Sequence, residues 1–171
     1  MKIRKTLCAA FILGTLFGGQ SLAAGTSVFQ KQEGPWKASC FKDQGVEKPY
    51  CRIMIINVFA GSKKSSNFVQ FGPAFDRGNA GFVFATYLGF APESTVKVKI
   101  GENEAHVLQT QQSNHTIAPA DMSKEILSQM NEGKSITVEF KLSTGLNKSL
   151  DFSLAGYKTL LPEVQKAMEV K

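Results

Sequence analysis

Hydrophobic and polar residues alternate along much of the chain, and a period of two marks strands with one buried face. The clearest case is Thr95-Val96-Lys97-Val98-Lys99-Ile100, where the apolar residues share one face and the lysines the other. Ile136, Val138, Phe140 and Leu142 repeat the pattern over 135–142, and Leu150, Phe152 and Leu154 over 149–155. Residues 36–41 place Trp36, Ala38 and Cys40 on one face. A charged, Gly- and Pro-containing turn (42–49) then leads to an Ile- and Val-rich strand, 50–59, completing a hairpin. Segments 67–71 and 81–88 are dense in Phe, Val and Tyr. They flank 72–81, whose Gly and Pro read as a connecting loop, while 106–110 is a short candidate strand and 24–33 a loose lead-in.

Two segments change to a helical period. Over 121–132, Met122, Ile126 and Met130 recur every four residues and Leu127 broadens the stripe; Asp121 is the expected N-cap and Gly133 the stop. Over 159–169, Leu160, Leu161, Val164 and Met168 are the apolar positions, with Pro162 expected in the first turn. The expectation is a mainly β fold: an antiparallel β-sandwich of about six to eight strands, with one internal helix and a short C-terminal helix.

The first residues break from this pattern. Lys2, Arg4 and Lys5 precede an apolar run of about a dozen residues, too short for a bilayer core that needs about 20. Gly18-Gly19-Gln20-Ser21-Leu22-Ala23 follows, and the three parts together read as a secretory signal peptide over 1–23, cleaved between Ala23 and Ala24. An uncleaved signal anchor is the alternative. Residues 24–171 then form a single β-sandwich-like domain, expected in the periplasm, at the cell surface or secreted, with no stable membrane span after cleavage.

Cleavage changes the composition. The full chain of 171 residues is 43% hydrophobic and 20% charged, which excludes collagen, a disordered tail and a polytopic membrane protein. Its formal charge is +6, but three basic and no acidic residues leave with 1–23, so 17 Lys and Arg face 14 Asp and Glu and the net is +3. That excess names no nucleic-acid partner, and no recognition motif is present. Cys8 leaves as well. Cys40 and Cys51 remain, an even number in an oxidising compartment, and a disulfide across the hairpin turn is the expected state. Two free buried thiols are the alternative; ten intervening residues suit a zinc pair poorly. Closing so short a loop would contribute about 2.5–3 kcal/mol.

Candidate chemistry is sparse. His106 and His115 are the chain's two histidines and match no metal or catalytic spacing, so no catalytic set, metal or cofactor is expected. Asp76 and Arg77 lie in the 72–81 loop, where an arginine would bind a carboxylate or phosphate and the pair would equally shape a turn. Trp36 lies near the two cysteines: packed there it is core, and exposed it is an anchor for a partner. Phe75 and Phe90 fall in turn-like segments and are candidates for a surface patch.

Three stretches together carry a family resemblance: Trp36-Lys37-Ala38-Ser39-Cys40, then Cys51-Arg52-Ile53-Met54-Ile55, then Phe152-Ser153-Leu154-Ala155-Gly156-Tyr157 leading into a helix. The chain resembles the invasion-associated locus B family of proteobacterial exported proteins. The resemblance implies one β-sandwich-like domain in the periplasm or at the cell surface. The family is named for a role in host-cell invasion in one pathogen, and most members have no assigned biochemistry. Many carry a second cysteine pair just before the internal helix; here 106–121 has none. Cys40 and Cys51 are the positions that carry over. The expected function is a non-enzymatic exported protein that binds a protein partner in the envelope or on a host cell. A small secreted inhibitor or ligand-binding module of the envelope is the alternative.

Overall fold

A computed structural model describes residues 25–58, 68–76, 79–110 and 113–169. Among these, ten strands and two helices follow one another as β1 (Thr26–Glu33), β2 (Trp36–Lys42), β3 (Tyr50–Val58), β4 (Phe68–Asp76), β5 (Asn79–Thr86), β6 (Thr95–Ile100), β7 (His106–Gln109), β8 (His115–Ile117), α1 (Ala120–Glu132), β9 (Ser135–Lys141), β10 (Asn147–Ser153) and α2 (Ala155–Glu169). They build two antiparallel sheets, one ordered β1-β2-β3-β4-β5-β8 and the other β10-β9-β6-β7. The mainly β, two-sheet expectation holds, with more strands than the alternation indicated.

Alternation explains the core. Trp36, Ala38 and Cys40 of β2 lie opposite Ile55, Ile53 and Cys51 of β3, so one face of that pair is continuously apolar. Phe71 and Phe84 continue that face across β4 and β5. Val96, Val98, Ile100, Ile136, Val138 and Phe140 supply the facing layer from the smaller sheet, and all belong to a single buried cluster. The Phe84 ring joins the layers, stacked 5.8 Å from Phe71 and tilted 4.9 Å from Phe140. Burying one such ring stabilises the fold by about 1.5–3 kcal/mol. Phe90 is buried beside Phe84 and bridged to Leu142, so it belongs to the core and not to a surface patch.

Four local expectations are corrected. Residues 26–33 are an edge strand and not a lead-in; their alternation is weak because only Phe29, Lys31 and Glu33 are partly covered. The supposed loop at 72–81 is paired almost throughout, from Gly72↔Val83 to Asp76↔Asn79. Gly72 has φ +145°, and a Cβ there would stand 2.2 Å from the Ile53 carbonyl oxygen, so its glycine answers a close strand approach. Helix α1 starts at Ala120 with Pro119 as its cap residue; Asp121 lies in the first turn, where the helix dipole favours it, and makes no side-chain cap. Helix α2 starts at Ala155, so Pro162 falls in its interior. Proline removes the hydrogen bond to the Lys158 carbonyl, and because Pro162 and Lys158 are both exposed, water can satisfy that group.

Candidate functional site

The described residues nominated from sequence lie on neighbouring strands β2, β3 and β4, but they do not line a common site. Cys40 and Cys51 are directly opposed on β2 and β3 and joined as a disulfide, with Cα atoms 4.0 Å apart and both residues buried. Trp36 is fully buried. Its Nε1–H donates to the Ser153 carbonyl at 2.7 Å, and its ring lies 5.6 Å from Tyr157 of α2. It therefore clasps β2 to β10 and α2, and it offers no surface to a partner. Tyr157 extends the clasp by donating its hydroxyl to Asn131 Oδ1 at 3.0 Å, and burial pushes its pKa up to about 12.

Phe75 is also redirected. It lies on the inner face opposite Cys51, partly buried and packed against the core, because its segment is strand. Asp76 ends β4 opposite Asn79, which leaves the nominated contact loop reduced to a hairpin end. Arg77, Ala23 and Ala24 lie outside the described residues. His106 Nε2 pairs with Gln129 Oε1 and His115 Nδ1 with Asn114 Oδ1, both at 3.1 Å. Among the described residues, no three His, Cys, Asp or Glu side chains are grouped to hold a metal.

The face that stands out is one the sequence reading passed over. Helix α2 packs on β1, β2 and β3 and α1 on β5, and their buried residues join the inner core. The register sends Met54, Ile56, Val83, Ala85 and Ile117 to the opposite, outer face of the larger sheet. Of these Met54 is buried, Val83 and Ala85 are half-buried, and Ile56 and Ile117 are exposed. Among the described residues seven large hydrophobics are exposed, and four belong to this face: Tyr50 at 39%, Ile56 at 45%, Tyr87 at 63% and Ile117 at 44%. Arg52 sits among them with its charge engaged, donating from Nε to Ser39 Oγ at 3.1 Å and lying over the Phe41 ring at 5.6 Å. A signal for this face does exist in the sequence. An antiparallel strand with one wet face alternates, whereas Ile53-Met54-Ile55-Ile56 of β3 is unbroken, as in strands covered on both sides.

The family model for the invasion associated locus B (IalB) protein matches residues 36–164. The chain belongs to the IalB family. A solved structure, the crystal structure of invasion associated protein B from Bartonella henselae, has the same fold at a TM-score of 0.57, with 14% identity over 81% of this chain and 99% of that one. No curated protein matches the sequence. The IalB match opens on Trp36 and closes on Val164, so it contains the disulfide, the tryptophan clasp and β3 to β10. Strand β1 and the last turn of α2 fall on either side of it.

Proposed function

We propose that this IalB-family protein is an exported, non-enzymatic binding protein whose outer sheet face docks a protein partner in the cell envelope or on a host cell. The concentration of exposed apolar side chains on that face (Tyr50, Ile56, Tyr87 and Ile117) carries the reading. A flat sheet face suits a protein surface better than a small molecule, which favours a concave pocket. Export is supported by the leader at 1–23 and by a buried disulfide, which persists in oxidising compartments.

The test is a photo-crosslinking residue placed singly at 56, 87 or 117 in the producing cell, with position 97 on the smaller sheet as the reference. A discrete adduct from the first three and none from 97 is the expected result. Adducts from 97 alone would overturn the docking face. Hydrolase turnover by the purified protein that is lost in His115→Ala or Asp76→Asn would overturn the non-enzymatic reading. N-terminal sequencing of the exported protein should begin at Ala24.

A further inference from the structure

A cleft away from the outer face has the chemistry of a small-ligand site. Strand β1 carries a bulge between Ser27 and Phe29, which leaves Val28 49% exposed at the sheet edge. Val28 and Phe29 face the last turns of α2, where Glu163, Lys166 and Ala167 share one side at spacings of three and four. Buried Pro49 closes the floor and Lys42 stands at the lip. The cleft is open to solvent on one side and has a volume of about 550 Å³, within the range of small-molecule pockets.

The polar groups around it are unequal. Glu163 accepts a 2.6 Å hydrogen bond from Lys31 Nζ, which also lies 3.7 Å from Glu33, so Lys31 holds Glu163 while being shared between two carboxylates. Lys42 and Lys166 have no ion pair among the described residues, which leaves two positive charges over an apolar floor. They outweigh the roughly half negative charge expected at the C-terminus of α2. The bulge also twists the β1 edge, which discourages an added peptide strand. We propose that this cleft binds a single-chain fatty carboxylate, its chain on Val28, Phe29 and Pro49 and its head between Lys42 and Lys166. Most of the cleft lies outside the span matched by the IalB model, so this site is independent of the outer docking face.

Titration calorimetry of the intact exported protein with sodium dodecanoate, below its micelle concentration, tests the proposal. Binding at one to one is expected, weakened roughly tenfold or more in Lys42→Gln/Lys166→Gln by the loss of two charge contacts. Ala167→Trp should abolish binding by filling the cleft, with an unchanged melting curve showing that the fold persists. Dodecyltrimethylammonium and inorganic phosphate should bind at least tenfold more weakly, since each supplies only one half of the recognition. Equal affinity for the cationic amphiphile, full affinity in the double variant, or no dodecanoate binding would each overturn the proposal. So would binding to anionic phospholipid vesicles without binding to dodecanoate, or a dimer dispersed by Ala167→Trp, which would assign the cleft to a membrane or to a second copy.

Discussion

The two faces of the six-stranded sheet differ: the inner one is apolar and buried, and the outer one mixes Lys37, Arg52 and Gln70 with partly exposed apolar residues. The inner face meets the second sheet and both helices, and its Trp36, Ile53, Ile55, Phe71 and Phe84 are buried to about the last percent. On the outer face Met54 is buried and Val83 half-buried, while Ile56, Tyr87 and Ile117, on the same strands or at their ends, stay exposed. Antiparallel sheets usually resolve this by placing polar residues on the wet side. The difference teaches that one sheet can commit its inner side to the core and leave apolar side chains exposed on its outer side, the side proposed to bind.

The contrast breaks most severely at the inner face. Phe84→Ala removes a ring shared by Phe71, Phe90 and Phe140, and denaturant titration should show a loss of about 3–5 kcal/mol. Replacing both cysteines, as Cys40→Ala/Cys51→Ala, should lower stability by about 2–4 kcal/mol under non-reducing conditions while leaving the far-ultraviolet dichroism of the sheet in place.

A smaller effect tests the clasp through pH. The Tyr157 pKa is raised from 10.0 to about 12, so between those values the unfolded chain releases a proton that the folded chain keeps. Stability is therefore full below about pH 10 and falls as pH rises towards 12, by about 2 kcal/mol at most. Tyr157→Phe should remove that part of the slope, measured by chemical denaturation across the alkaline range.

The smallest change in stability sharpens the comparison most. Ile56→Ser and Ile117→Thr act on exposed side chains and should shift unfolding by no more than about 0.5 kcal/mol. The same substitutions should abolish the crosslinked adduct at position 87. A large loss of stability from either would mean that the outer face is structural and would end the division of labour between the faces.

Much of this architecture was legible from side-chain period alone. Val96, Val98 and Ile100 of β6, and Ile136, Val138 and Phe140 of β9, alternate against charged or polar neighbours, and their burial follows directly. The disulfide was legible too, because two cysteines flank one turn and their strands pair in register. Strand β1 was not, since an edge strand half-covered by a helix need not alternate. The stretch at 72–81 misled because Gly72 and Pro73, local breakers, sit where β3 and β4 approach closely. The proposed docking face was half-legible: the unbroken Ile53-Met54-Ile55-Ile56 run indicates apolar residues on both faces, but not that Ile56 stays exposed while Met54 is buried.

Period, turn chemistry and cysteine spacing, all local properties of the chain, thus determined the strand-rich class, the first hairpin and the internal helix. Which apolar face found a partner was decided only in the tertiary structure. Burial depends on what arrives from distant segments: α2 reached β1, β2 and β3 on the inner side, carrying Tyr157 to Trp36 across the length of the chain. On the outer side burial is uneven, and β3 residues that read alike in sequence became buried at Met54 and Ile55 and exposed at Ile56.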